Sequence, residues 1–529
     1  MSDIEAQKEA VAASPDRVPS PTSTLGPVIS RRQTRGEYKL QQDRGEVPIE
    51  LVSAMLEKTD AFRVTFDGPD DPRNAQNWSL RKKVLQNVLI TLATFWSGAA
   101  SAVLSGASPQ VAEHFRVGSV VAELANGMFV FGFALGPQIF GPLSEVMGRK
   151  WPLTLGMFLG TMFSIQVAGA SNFATVMIGR FLGGVFGAAP YAIGGGWFHD
   201  VYSALWVQVG VAFFAVSTAG GPAIGPLIGA GLASTGPYGW RWSEWFCVIF
   251  GGAVTGLMAV FMDESYSPAI LKKVAAQRRR DTGNYAWHCE LDTVTISAKD
   301  ILVRYCLRPV RMMLTEPLLF VLNIYMSFVY ALLYMLMAAV PVIFGEYRGY
   351  GQVVSTLPFV SVFIGILFGG GLMIADRYRY VAKLKREGKE ELPDERFVPM
   401  GVGAVMLVIG LFWFAFTGPA QTSSPWPSII AIGFSMAGMV LIFECGIVVL
   451  IDMYRSFANS AIAANTLLRS VFGGAFPLFT TGMVHNLGYQ GTWAMALLAF
   501  LALFLAPIPF IFYRMGPRLR AMSKFSLEL

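Results

Sequence analysis

The sequence predicts an all-α polytopic membrane protein, with twelve transmembrane helices in two pseudo-symmetric bundles of six. Three observations lead there. Hydrophobic residues make up 53% of the 529 and charged ones only 14%, with a mean hydropathy of +0.49, which leaves too little charge to cover a soluble chain of this length. Apolar segments of roughly 20 residues, enough for a helix to cross the hydrocarbon core, recur twelve times along the chain. The basic residues are sorted by loop rather than gathered on one patch.

In order, the spans are about 84–105, 119–142, 151–170, 173–197, 204–233, 244–262, 317–343, 353–375, 399–418, 428–452, 459–483 and 491–513. Pro and Gly inside them do not argue against helices, because membrane helices tolerate both. With the N-terminus inside, the even loops hold Arg149 and Lys150, nine Lys/Arg from Lys272 to Arg311, seven from Arg377 to Arg396, and Arg455. Arg514, Arg518, Arg520 and Lys524 follow the last span, while the odd loops hold only Arg116, Arg241 and Arg348. That asymmetry puts both termini in the cytoplasm and makes the number of spans even.

The expected division is therefore a disordered cytoplasmic tail at 1–75, a first bundle at 76–262, a linker loop at 263–316, a second bundle at 317–513 and a short tail at 514–529. The first tail is rich in Ser, Pro, Arg, Glu and Gln and cannot bury a core, apart from a short amphipathic helix at Ile49 to Phe62. It ends in Asp70-Asp71-Pro72-Arg73-Asn74-Ala75-Gln76-Asn77-Trp78-Ser79, where Trp78 with Arg81, Lys82 and Lys83 makes an interfacial anchor. No short apolar stretch with a cleavage site stands at the N-terminus, so the first span is expected to act as the insertion signal. Cys247, Cys289, Cys306 and Cys445 have neither paired nor metal-ligand spacing.

Between the second and third spans lies Gly141-Pro142-Leu143-Ser144-Glu145-Val146-Met147-Gly148-Arg149-Lys150. It reads as a tight turn, with Gly141 and Gly148 freeing the backbone and Arg149 and Lys150 holding it in the cytoplasm. The fifth span carries Gly220-Gly221-Pro222-Ala223-Ile224-Gly225-Pro226-Leu227-Ile228-Gly229-Ala230, whose glycines four apart suit close helix packing and whose prolines bend the helix. Asp263-Glu264-Ser265-Tyr266-Ser267-Pro268 follows the sixth span, and Ala375-Asp376-Arg377 after the eighth span echoes Ser144-Glu145 after the second. These stretches, with the segment before the first span, resemble the fungal twelve-span drug:proton antiporter family of the major facilitator superfamily over about 70 to 513. Glu145 stands where most of the superfamily has aspartate.

The resemblance implies the major facilitator fold and proton-coupled efflux, by alternating access, of small organic compounds such as drugs, toxic secondary metabolites or polyamines. Gating falls to Gly141, Glu145, Gly148, Arg149, Lys150 and Asp452, the last as gate or cap. Gly221, Gly225, Pro226 and Gly229 carry the motif that separates antiporters from symporters. The alternatives are a proton-coupled uptake symporter of the same fold and a non-transporting membrane sensor.

Charges inside spans are costly and point to function. Arg180, in Arg180-Phe181-Leu182-Gly183-Gly184, resembles the antiporter arginine implicated in proton coupling; the alternative is that it snorkels to the outer face. Glu444 and Arg469 lie roughly 12 to 15 Å deep by helical rise. Glu444 reads as a proton carrier, a counter-ion for a cationic substrate, or a structural partner of Arg469. Trp96, Tyr191, Asn323, Tyr325, Tyr330 and Tyr334 are on helices one, four and seven, which line the cavity in this superfamily, and Arg469 is a cavity candidate with them. Large aromatic faces with few polar groups suit amphiphilic substrates, although the same side chains can face lipid.

No enzyme is read here: His199-Asp200 has no third catalytic partner and fits a solvated helix end, and no G-x-x-x-x-G-K-[ST] nucleotide signature appears. The expected partners are a small organic substrate, protons and the lipid bilayer, with no nucleic acid, no metal and no cofactor, and a monomer as the working unit. The expected location is the plasma membrane, with the vacuolar membrane as the alternative.

Overall fold

A computed structural model describes residues 62–202, 207–284, 286–293, 303, 307–388, 392–418, 424–454 and 457–522. The tail to residue 61, with all but the last residue of the helix expected at Ile49 to Phe62, lies outside them, as do Cys306, Arg455 and Lys524. The chain divides into two compact units, the described part of the smaller one being 62–65 with 271–293. There the Val64 N–H donates to the His288 carbonyl at 2.8 Å and the His288 N–H to the Phe62 carbonyl at 3.1 Å. Val64, Ala275 and Cys289 form a small core, and Phe62 meets Trp287 edge to face. Residues expected in a coreless tail and an open linker thus pack together, because paired backbone and a few apolar side chains suffice to bury one another.

The larger unit holds twelve long helices at the places of the twelve expected spans. They are α1 (Leu80–Ala102), α2 (Ser119–Met147), α3 (Lys150–Ala168), α4 (Phe173–Val201, two segments meeting at Ala188), α5 (Val207–Ala233) and α6 (Gly239–Phe261). The second six are α7 (Pro317–Val342), α8 (Phe359–Glu387), α9 (Phe397–Thr417), α10 (Trp426–Tyr454), α11 (Ala458–Ala475 and Pro477–Asn486, bent by 40°) and α12 (Thr492–Leu505 and Ile508–Met522). Ten of them are long and apolar enough to cross a membrane, and α11 taken as one bent span makes eleven. The remaining helix, α5, is 27 residues long without a charged residue and packs against α1 and α8.

Several helices overrun their expected spans. Residues Gly141 to Met147, expected in a turn, form the last two turns of α2, with Pro137 and Pro142 accommodated inside it. The break comes at Gly148, whose φ of +89° is a conformation that favours glycine. Gly141, read as a residue of close approach, faces open space. Past residue 375, α8 continues to Glu387, carried by helix-forming Lys, Glu and Arg and by an Asp376–Arg379 ion pair at 2.6 Å. The expected linker also contains helices at Ser267–Thr282 and Arg308–Thr315, the second packed on α11.

The segment before α1 is folded as well. Asn74 caps the turn Ala75–Asn77, Asn77 donates to the carbonyls of Pro69 (2.7 Å) and Asp71 (3.0 Å), and Ser79 caps α1. Arg73, bonded to Asp71, holds that carboxyl well below the usual carboxylate range.

Within the bundles, small residues let backbones touch, as membrane helices require when lipid removes any hydrophobic drive between them. Gly221 and Gly225 of α5 rest directly on the backbone of α1 at Phe95 and Ala99, and Gly229 on that of the turn after it at Val103. Pro226 belongs to the same seam, its carbonyl against Gly106. The doubled Gly-Pro run is thus a packing seam inside the first bundle. The bundles meet where Gly127 of α2 lies against the Gly474 carbonyl of α11, and where Gly220 of α5 faces Phe363 of α8. A Cβ at Gly229 would overlap the Val103 carbonyl, whereas one at Gly231 meets open space. Gly229→Val is therefore expected to lower stability by about 1–3 kcal/mol or more, read as thermal unfolding in detergent, with Gly231→Val close to wild type. Equal melting of the two variants would remove this seam as a constraint.

Candidate functional site

The face bearing the α2–α3 turn is built around Arg149. Its Nε pairs with Asp200, at the far end of α4, at 3.1 Å, and Nη1 donates to Ser144 at 2.8 Å. The guanidinium lies 4.6 Å over the Tyr266 ring, and Gly196 of α4 leaves room for it. Glu264, from the chain after α6, accepts the N–H groups of Arg149 (2.7 Å), Lys150 (3.2 Å) and Tyr266 (3.0 Å). An acid there satisfies open donors and the positive end of the α3 dipole. A Cβ on Gly148 would collide with that carboxylate, so Gly148 is demanded by space as well as by φ.

These contacts tie α2, α3, α4 and the segment after α6 together within one bundle. Of the residues expected to gate, Arg149 is held inside this bundle, while Glu145 reaches toward the other. Glu145 accepts a 3.5 Å hydrogen bond from Asn459 of α11, in the other bundle. Lys150 meets the Trp151 ring at 5.7 Å, an interfacial placement. Asp200, read as a solvated helix end, is a half-buried ion-pair partner. The second bundle repeats the device: Arg396, leading into α9, pairs with Asp452 at the end of α10 (3.3 Å) and lies 3.9 Å over the Tyr380 ring.

Arg180 is 1% exposed and does not snorkel. The helical ladder of α1 breaks at Ala102 (φ −120°, ψ −4°), where a 3-10 turn begins, and the carbonyls just before the break take the guanidinium. Nη1 donates to Ala100 (2.7 Å), Nη2 to Ser101 (3.1 Å) and Nε to Ala125 of α2 (3.1 Å). Nη1 also pairs with Glu244 of α6 at 3.2 Å, and the Phe129 ring lies 4.5 Å away. Glu244 is fully buried. Sequence reading missed it by starting the sixth span there; the helix begins at Gly239, which puts Glu244 in its second turn. The run Trp240, Trp242, Trp245 was the available signal, since interfacial tryptophans bracket Glu244.

Where the bundles meet, Tyr330 and Tyr334 of α7, Phe443 of α10 and Arg469 of α11 form a cluster. The Arg469 guanidinium lies 4.9 Å over Phe443 and 5.1 Å over Tyr330. Tyr330 stacks on Phe443 and brings its hydroxyl to 3.4 Å from that of Tyr334. The Tyr334 hydroxyl in turn shares a 2.9 Å hydrogen bond with Ser101 of α1, across the junction. Glu444 is half-buried beside Phe443, and among the described residues it makes no ion pair with Arg469, so the expected pairing is not formed in this conformation.

Of the other candidates Tyr191 borders this cluster, and Trp96 packs apart from it. Trp96 is fully buried inside the first bundle, its Nε1 donating to the Cys247 carbonyl at 2.7 Å between Gly160 and Gly251. Tyr191 packs on Phe133 and Phe214 and donates to the Thr94 carbonyl at 3.4 Å, and from the first bundle it comes within electrostatic range of Tyr330, Tyr334 and Arg469. Asn323 accepts from Asn465 of α11 at 3.1 Å, and Tyr325 is buried beside it in α7. The reason is common to all: a helix has several inward directions, and helical register alone does not choose among them.

Arg149→Ala strands the Asp200 carboxylate, and a loss of about 3 kcal/mol in stability is expected. Asp200→Asn in the same chain should recover part of it, while Glu145→Gln leaves unfolding unchanged and alters transport instead. A double variant no more stable than Arg149→Ala alone would dissolve the clamp.

The sequence profile of the Major Facilitator Superfamily matches residues 90–477. The MFS-type transporter traF of Penicillium crustosum is 40% identical over 463 residues, 87% of this chain and 93% of its own length. Efflux pump bik6 of Gibberella fujikuroi is 37% identical over 88% of this chain and 95% of its own. The major facilitator superfamily multidrug transporter FLU1 of Candida albicans is 37% identical over 90% of this chain and 78% of its own. Among solved structures, the xylose transporter XylE of E. coli, in a partially occluded inward-open conformation, has a TM-score of 0.57 over 82% of this chain and 98% of its own, at 15% identity, a likeness of fold alone. Twelve helices in this arrangement, a profile match over most of the chain and relatives of this identity along most of its length have one reading: the chain belongs to the Major Facilitator Superfamily.

Proposed function

We propose that this protein is a proton-coupled antiporter that exports small amphiphilic organic compounds through the junction between its bundles. One observation carries the reading: the Arg469 guanidinium lies against two aromatic faces where the bundles meet, with Glu444 next to Phe443 and not paired to that guanidinium. A guanidinium held by π faces desolvates at modest cost and can exchange partners, and a nearby carboxylate can take either a proton or a cationic substrate. Tyr330 and Phe443 offer stacking area to flat organic molecules. The outward direction is supported by relatives named as an efflux pump and a multidrug transporter, at 37% identity along most of the chain.

On this reading the face of Arg149 and Arg396 is cytoplasmic, as are both termini, because that face collects the basic loops. The membrane is the plasma membrane, and one chain suffices as the working unit, since the path lies between its own two bundles. Alternating access then consists of one bundle rocking against the other, each kept rigid by its own clamp.

Inside-out membrane vesicles test this. A lumen-acid gradient should drive several-fold accumulation of the cationic dye rhodamine 6G, and a protonophore should abolish it. Accumulation driven by the reversed gradient would make the protein an uptake symporter, and accumulation indifferent to both would remove proton coupling. Glu444→Gln should flatten the pH dependence and reduce transport of rhodamine 6G more than that of the neutral dye Nile red.

A further inference from the structure

Glu244 is a fully buried carboxylate that the mechanism above does not use. Its Oε1 meets Arg180, while its Oε2 has no hydrogen-bond partner among the described residues. A carboxylate away from water is stable as an anion only while its charge is matched, and here the match comes from one contact at 3.2 Å. That same guanidinium is divided between the carboxylate and the Ala100 and Ser101 carbonyls at the break in α1. Ser101 lines a small cavity with Ser105, Glu123, Asn126 and Tyr334, and its hydroxyl bonds the Tyr334 hydroxyl of the other bundle. From Glu244 to Arg469 there is thus an unbroken series of contacts: Arg180, Ser101, Tyr334, Tyr330, Arg469.

We propose that Glu244 is the proton-exchanging carboxylate of the first bundle, and that its charge state is passed through Arg180 and the α1 break to the Ser101–Tyr334 contact between bundles. The proposal rests on the proton-coupled reading above. With Glu244 ionised, the guanidinium is shared between carboxylate and carbonyls. Once Glu244 is protonated, Arg180 loses its counter-charge and leans wholly on the α1 carbonyls, which shifts Ser101 and with it the hydrogen bond to Tyr334. Coulomb attraction over about 3 Å in a poorly polarisable interior is large enough to make such a two-state element.

The groups facing Glu244 are few. Arg180 comes from α4, and Cys247 lies one turn on along α6. Of the elements packed on α6, α5 has no ionisable residue, while α1 and α3 carry theirs at the far ends (Arg81, Lys82, Lys83; Lys150). The short helix Ser108–Phe115 adds Glu113 and His114, and His114 turns to Trp240 and Arg241.

The test uses the full chain in lipid nanodiscs, titrated with infrared detection. A protonated-carboxyl band should grow on acidification, disappear in Glu244→Gln and persist at a shifted position in Glu244→Asp. A band untouched by both substitutions overturns the proposal. In inside-out vesicles, Glu244→Gln should still equilibrate rhodamine 6G but lose at least three-quarters of its gradient-driven accumulation. Tyr334→Phe should keep the infrared band and lose accumulation at least threefold. If wild-type accumulation follows the gradient and Glu244→Gln matches it, this inference fails and the antiport reading stands. If wild-type accumulation ignores the gradient, the antiport reading fails, and the role assigned to Glu244 in transport falls with it.

Discussion

A guanidinium cannot be left bare in the interior of a membrane domain, and the first bundle is arranged so that Arg180 is not. Three carbonyls, one carboxylate and one aromatic face close around it, drawn from α1, α2 and α6, while Arg180 itself belongs to α4. Each contact is modest alone, but removing any one leaves a buried charge undersatisfied, so the four helices are held in one register. The break in α1 at Ala102 makes sense in this light. An unbroken helix would keep its carbonyls for its own ladder, whereas a switch to a 3-10 turn leaves carbonyls for another donor.

Close glycine seams make this satisfaction reachable. Side-chain contacts of ordinary width would hold α1 and α5, or α2 and α4, too far apart for one guanidinium to reach several backbones at once. Gly184 lying on the Phe129 carbonyl of α2, and Gly225 on the Ala99 carbonyl of α1, remove that distance. The second bundle uses the same means, with Gly365 of α8 set against Gly433 of α10. Its charge lies elsewhere: Arg469 faces the junction and is held by rings rather than by a buried carboxylate. The two halves thus share a packing scheme and the paired clamps Arg149–Asp200 and Arg396–Asp452, but they divide the charged work unequally. One arginine is locked inside a bundle, and the other stands where the bundles meet.

A pair of hydroxyls joins these two centres. Ser101 is bonded through its backbone to the Arg180 centre and through its side chain to Tyr334, which reaches Arg469 by way of Tyr330. The Gln352 amide donating to the Gly106 carbonyl and Asn459 donating to Glu145 also cross between the bundles, again as single hydrogen bonds that cost little each to break. By contrast, the clamps inside each bundle are multidentate and would be costly to break.

The fold was legible in the sequence because its causes are additive and local. Length and hydropathy set the spans, and Gly148, Arg149 and the α5 glycines stand at the spacings a turn and a seam require. Arg180 was visible too, since any arginine inside a span calls for a partner. Which partner it finds was not legible, because Glu244 is 64 residues away on α6 and becomes its neighbour only when α4 and α6 close around α1. The same holds for Asp200 against Arg149, and for Trp96, whose burial follows from glycines on α3 and α6 that no periodicity links to it. By itself the sequence determined how many long helices form, along which stretches of chain they lie, and that Arg180 needs a partner. Only the tertiary structure decided which charge neutralises which, since that depends on the rotation of each helix about its own axis, a quantity set by packing against all its neighbours at once.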